Sequence, residues 1–498
     1  MSGAGHGDTL AQRATRGAAL MLAARAAGTL AAIAATAVLA RLVAPADFGV
    51  VAVVLSVFAL ARCLEEIGLG EATVQRAEIG DAQVSTLFWM NAALGLALST
   101  VFALASPLVA ALLGRPETAP FVAALAPLFL LSSLGAQHRA LLRRGFRFRP
   151  LAMAQAGSVI AGAAAGIAAA SRGAGAWSLV AQHLTAAVTL LAGAWVGSRW
   201  QPHAPRIAAG VRPLLRFGLH LTASQFVTAL SRNIDNILIG RFVGTAALGA
   251  YDRAFQLMML PATQFNQPLT SAVAPALGRL QHEPEAYRRL YRAATEVIAS
   301  VAFPIAVFTA AAAPALVGVL LGPAWSDAAP LLRALAPCGL MLSLNVGTGW
   351  VYQSLGRSER QLRWTLFGSG VSVAAIVAGL QWGALGVAIA LSCARLALRP
   401  FGVAYCFRGT FLTPRDLLAG TWRAACAATA AGIAAWLADP ADAPVAWRLT
   451  TQAVVFAVVA LAAMASLPGG IARLLQARSL LRAAVAPAQR PRAEAPHA

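Results

Sequence analysis

Four polar residues fall within five positions of the segment SRNIDNILIGRFVG, Ser231 to Gly244: Arg232, Asn233, Asp235 and Asn236. Apolar sequence flanks them on both sides. A guanidinium can hold an oxyanion such as a phosphate through two parallel hydrogen bonds. A carboxylate can pair with that guanidinium or take up a cation, and side-chain amides can hydrogen-bond sugar hydroxyls. At about 100° per residue, Gln225, Thr228, Arg232, Asp235 and Asn236 share one face of a helix, with Ile234, Ile237 and Leu238 on the other. Arg232 and Asp235 are three apart and can pair. A charge at mid-membrane costs at least about 2.5–3.5 kcal/mol on insertion scales, so this face should turn towards protein or water. Two compatible readings follow: the pair locks its helix to a neighbour, or the face lines a hydrated cavity.

Other residues could join that chemistry. Arg25 lies inside an apolar stretch with no acid within four residues; it could meet a substrate anion or snorkel to the interface. Gln256 follows Asp252 by one helical turn, and Glu65 and Glu66 end an apolar run. The candidate cavity-lining set is therefore Arg25, Gln225, Thr228, Arg232, Asp235, Asn236 and Gln256. Asp235, Asp252 and Glu66 are candidates for coupling to H+ or Na+. No metal or cofactor is expected: the five cysteines (63, 338, 393, 406 and 426) are scattered, His138 and His183 are isolated, and no phosphate-cradling glycine loop or nucleophile motif occurs.

These residues need a membrane-spanning scaffold. The 498 residues are 59% hydrophobic and 12% charged, with mean hydropathy +0.68, about half the charged fraction of a soluble domain. Apolar stretches long enough to span a bilayer, about 20 residues each, recur from Ala18 to Leu467. They lack the alternation of a membrane barrel, so helices are expected. The fold class is an all-α polytopic membrane protein of about fourteen transmembrane helices. The net charge of +20, carried by arginine without lysine, is read as orienting loops and not as a nucleic-acid surface. Arg139, Arg143, Arg144, Arg147 and Arg149 fall in one connection, and Arg288, Arg289 and Arg292 in a later one of the same set. Alternate connections hold one arginine or none, so the rich set and both termini are placed in the cytoplasm.

An internal repeat organises the chain. ARLVAPADFGVV (40–51) and GRFVGTAALGAY (240–251) align at an offset of 200, matching Arg41 with Arg241 and Gly49 with Gly249. The expected organisation is a cytoplasmic tail (1–16), an N-lobe of six helices (17–200), a cytoplasmic linker (201–216), a C-lobe of six (217–410), two added helices (411–467) and a disordered basic tail (468–498). Parallel repeats of this kind are a transporter design with a site between the lobes.

Several stretches, LARLVAPADFGVVAV, IGLGEATVQR, RALLRRGFRF, GAWSLVAQ and above all SRNIDNILIGRFVGTAALGAYDRAFQLMMLP, resemble the bacterial oligosaccharide flippase family. This is the Wzx-type polysaccharide transporter branch of the MOP (MATE-like) exporter superfamily. The similarity runs in order over about residues 15–410. Glu66 departs from it, standing where the family often has Asp before GLG. The resemblance implies fourteen helices in two lobes, alternating access, and movement of a polyprenyl-diphosphate-linked oligosaccharide from the inner to the outer leaflet of the bacterial inner membrane. Expected partners are that lipid-linked sugar, the bilayer, and the polymerase and other proteins of surface polysaccharide assembly. A lipid II flippase and a cation-coupled drug antiporter are alternatives within the superfamily. A membrane-bound polymerase or ligase fits less well, because every outer connection is short.

Overall fold

The computed structural model describes residues 28–65, 70, 73–74, 79–204, 229–470, 472, 475–476 and 479. Among them every regular element is helical. In chain order the helices are α1 (Gly28–Leu42), α2 (Pro45–Glu65), α3 (Asp81–Leu104), α4 (Ser106–Leu112), α5 (Ala119–Leu125), α6 (Pro127–Arg144), α7 (Phe148–Ala170), α8 (Ala176–Ser198) and α9 (229–242). There follow α10 (Thr245–Arg279), α11 (Pro284–Ala311), α12 (Ala313–Leu320), α13 (Ala328–Ser354), α14 (Ser358–Gly379), α15 (Gly383–Phe407), α16 (Pro414–Leu437) and α17 (Val445–Ser466). Nine described segments are long and apolar enough to cross a membrane. The expected number of fourteen is not reached on that measure, and the N-terminal tail, most of the 201–216 linker and most of the C-terminal tail lie outside the described residues.

Proline sets many of the boundaries. Pro107, Pro120, Pro127 and Pro314 stand in the first turns of α4, α5, α6 and α12. A proline ring offers no N–H and disfavours helix at the residue before it. Spans that read as single helices are thus divided at Ala105, Ala126 and Ala312. At the basic ends the helices run further than the apolar pattern alone indicates. α6 continues to Arg144, and α11 starts at Pro284, so Arg139, Arg143, Arg288 and Arg292 stand on helices and not in loops. Nothing breaks the helix before Gly145, and Pro284 is suited to a first turn.

The order of elements recurs. α3, α4 and the single 3-10 turn Pro116–Thr118 are followed later by α11, α12 and the 3-10 turn Pro323–Trp325. The α7–α8 pair has its counterpart in α14–α15.

The chain forms two compact units: Met1–Asp252 with Leu320–Asp327, and Arg253–Val319 with Ala328–Ala498. In the first, the two turns that carry the sequence repeat lie across each other. A Cβ on Gly49 would sit 1.7 Å from the Thr245 carbonyl oxygen, and one on Gly249 would sit 1.9 Å from that of Pro45. Only glycine admits this approach. Around the crossing, Arg115 Nε donates to Gly240 O at 3.1 Å, and Trp325 Nε1 donates to Ala40 O at 2.7 Å. Residues 40 and 240 are repeat equivalents, so the two halves use the same carbonyl in the same way. Arg241 Nη1 donates to Leu112 O at 2.5 Å, which ties it to this cluster and away from the polar face of α9.

The second unit is built on α10, α11, α13 and α15, whose buried side chains include Tyr287, Tyr291, Trp350 and Phe407. α16 and α17 pack on α11, with Phe308 against Phe456 at a 5.2 Å centroid separation. Leu104, Val196, Leu437 and Leu461 are exposed. Such side chains suit a surface solvated by lipid tails, which are as apolar as leucine.

Candidate functional site

α9 presents the polar stripe. Asp235 is buried at 5% exposure. Its Oδ2 accepts a hydrogen bond from the Tyr251 hydroxyl at 2.9 Å, and its Oδ1 accepts one from the Asn236 backbone N–H at 2.9 Å. Asn236 Nδ2 donates to Ser56 Oγ at 3.1 Å, and Ser56 in turn donates to Ala52 O at 2.9 Å. This network belongs to the first unit and ties α9 both to α2 and to the start of α10. The expected pairing of Arg232 with Asp235 does not form. Arg232 is exposed, and no ion pair joins the two among the described residues. Three-residue spacing allows the pair, but Tyr251 draws the carboxylate into the packed interior while the long Arg232 side chain turns outward.

Asp252, next to Tyr251, is a second buried carboxylate at 8% exposure and an electrostatic neighbour of Asp235. Gln256 lies one turn further along α10, is exposed, and belongs to the second unit. Arg25, Glu66, Gln225 and Thr228 lie outside the described residues.

Some polar residues of the interior were not singled out by pattern. Tyr251 sits inside the quoted motif, yet nothing in its spacing links it to a residue sixteen positions earlier; only the α9–α10 turn brings them together. Ser56 is a lone hydroxyl in an apolar helix, a weak signal. Arg395 and Arg399 on α15 are different. Two arginines four apart in an apolar span break the same rule as Arg232, and that signal was legible.

At the basic ends of the second unit, arginines serve the fold. Asp416 Oδ1 accepts from Arg292 Nε at 2.7 Å, while its Oδ2 accepts from the Thr413 backbone N–H at 2.7 Å and the Thr413 hydroxyl at 2.9 Å. Burial works against its ionised form, but these hydrogen bonds and the Arg292 charge outweigh it and hold the carboxyl below the usual carboxylate range. Arg288 Nε donates to Phe411 O at 2.6 Å, and Arg357 Nη1 to Arg408 O at 2.9 Å.

A helical membrane scaffold with a repeated element order and a polar stripe anchored on buried carboxylates defines a transporter class. Residues 38–330, more than half of the chain, match the family described as "Polysaccharide biosynthesis protein", and the chain belongs to that family. The Lipopolysaccharide biosynthesis protein WzxC of Escherichia coli (strain K12) is 28% identical over 355 residues, covering 71% of this chain and 72% of that protein. The Succinoglycan biosynthesis transport protein ExoT of Rhizobium meliloti (strain 1021) is 28% identical over 404 residues, covering 77% and 79%. Among solved structures, the Lipid II flippase MurJ in an inward closed conformation gives a TM-score of 0.72 at 15% identity, over 89% of this chain and 97% of that one. An inward-facing multidrug resistance MATE family transporter of the MOP superfamily gives 0.58 at 17% identity, over 76% and 94%. These two likenesses concern the fold.

Proposed function

We propose that the chain is a flippase of the bacterial inner membrane. It moves a polyprenyl-diphosphate-linked oligosaccharide from the inner to the outer leaflet by alternating access, for surface polysaccharide assembly. The observation that carries this reading is the family match, which includes the whole described polar stripe of α9 and α10. The stripe has suitable chemistry. Arg232, exposed and joined to no carboxylate among the described residues, offers a guanidinium to the diphosphate, with Arg25 as its proposed companion. Asn236, Gln256, Gln225 and Thr228 offer hydrogen bonds to sugar hydroxyls and water. Asp235 and Asp252 are the proposed coupling groups for H+ or Na+, with Glu66 a further candidate: two neighbouring buried carboxylates repel when both are ionised, so a cation or proton between states relieves the site. Both termini are proposed to lie in the cytoplasm.

The test is the Arg232→Ala variant in cells that depend on this chain for surface polysaccharide. The expected result is loss of polymer with lipid-linked repeat units accumulating on the cytoplasmic side. Normal polymer at a normal protein level would rule out the phosphate role of Arg232.

A further inference from the structure

α15 buries one stripe of its surface: Ala384, Ala388 and Leu391, then Gly402 and Cys406. At helical spacing, Arg395 and Arg399 fill the gap this stripe leaves between Leu391 and Gly402. Arg395 is central in the 25-residue helix, about 18 Å from either end at 1.5 Å per residue. An arginine that far from both helix ends stands well inside the apolar stretch of α15. The same face runs along α13, because Ser392 Oγ donates to Ala334 O at 2.5 Å and Cys406 Sγ to Thr348 O at 3.7 Å. The arginines therefore lie, half-buried, on the side of α15 that packs along α13.

Their hydrogen bonding is incomplete. Arg399 donates to Asn345 Oδ1 at 2.6 Å and to Leu344 O at 2.9 Å, but its Nε is buried without a partner. Arg395 Nε is also buried without a partner, and Arg395 forms no hydrogen bond or ion pair with the described residues. No carboxylate among the described residues pairs with either. The Tyr291 hydroxyl, buried and unpartnered in the same way, belongs to an electrostatic neighbour of Arg399. A guanidinium has five N–H donors and no acceptor. Two of them one turn apart, with Cβ atoms about 5–6 Å from each other, form a donor-rich, positively charged, half-buried pair with no carboxylate partner among the described residues. An acceptor-rich anion would satisfy both guanidinium groups.

We propose that Arg395 and Arg399 form an oxyanion subsite within the second unit, taking a diphosphate or a sugar carboxylate of the transported molecule. The subsite rests on the flippase reading only for the origin of the anion. Fork-shaped, bidentate recognition suits both groups, and the two sources are separable by experiment.

The test uses the full chain in phosphatidylcholine nanodiscs, with three probes: farnesyl diphosphate, farnesol and a trigalacturonate without lipid. The wild type should bind at least one of the two anions, and farnesol far more weakly. Arg395→Gln should weaken that binding about ten- to a hundredfold, the usual loss for a charged hydrogen bond. Arg395→Lys should recover part of it, since it keeps charge without the fork. Because Arg395 forms no hydrogen bond or ion pair with the described residues, Arg395→Gln should unfold at the same temperature as the wild type or higher. Loss limited to farnesyl diphosphate assigns the subsite to the carrier headgroup, and loss limited to trigalacturonate assigns it to an acidic sugar. Undiminished anion binding by Arg395→Gln, no anion binding by the wild type, or collapse of the Arg395→Gln fold would each overturn the proposal. Anion binding through Arg395 in a chain that exports no polysaccharide would sink the flippase reading and leave the subsite standing.

Discussion

Asp235 is held by a phenol, and that changes what its removal should do. Its carboxylate is buried, and Tyr251 supplies the hydrogen bond to Oδ2. Tyr251→Phe strips that donor while leaving the acceptor buried, which should lower stability by about 1–3 kcal/mol. Adding Asp235→Asn removes the stranded charge, so the double variant should be more stable than the sum of the single losses implies. Thermal unfolding of the three variants measures this, and strictly additive losses would show that the two groups act independently. The candidate site residues were legible in the sequence to the extent that charge in an apolar helix is visible. Arg232, Asp235 and Asn236 stood out, and so could Arg395 and Arg399. The partners were not legible, because a hydroxyl such as Ser56 or Tyr251 carries little signal until the fold places it beside a polar group.

At the scale of elements, α16 shows how a basic connection is built. Asp416, at the third helical position, reaches back to the Thr413 N–H as an N-terminal cap and also receives Arg292 from α11. Its folded pKa lies below its unfolded value. The stabilisation is therefore present in full above the unfolded carboxylate pKa of about 4 and is lost as pH falls through the depressed folded value. Asp416→Asn should destabilise the protein at pH 7 by about 1 kcal/mol or more, the usual worth of a helix cap. The gap from wild type should close in acid unfolding series below about pH 4. A constant gap from pH 7 to pH 3 would mean that the ionised carboxylate is not the source. Helix existence was readable from hydropathy and helix ends were not. Hydropathy marks only the apolar part of a helix, whereas α6, α11 and α14 carry on through their arginine-rich ends.

For the whole molecule, arginine asymmetry and aromatic placement give the orientation to be tested. In the second unit, Trp382, Trp436 and Trp447 stand exposed at helix ends on the arginine-poor side, as expected of a membrane interface belt. The basic ends of α11, α13, α14 and α15 lie on the other side. A fluorescent reporter that folds only in the cytoplasm should therefore be active when fused after Ser466. An exported phosphatase reporter should be active when inserted at 172–174, between α7 and α8. The opposite pattern would invert the topology. Fold class was legible in the sequence because bilayer thickness and loop charge leave strong marks on composition, and the family through motifs such as SRNIDNILIGRFVG. The division of the chain into compact units was less so. The first unit ends within α10 and takes in Leu320–Asp327, a grouping made by contacts among turns that no local pattern encodes.

Those turns also bear on how the two repeats have aged. Other positions related by the 200-residue offset differ, as Ala32 and Arg232 do. Gly49 and Gly249 are not, because each leaves room for a carbonyl at the other's turn. A side chain acquired at either one closes the space on which the other depends. The pair is a point at which the two aligned segments cannot change one at a time, so their likeness there is held by steric necessity.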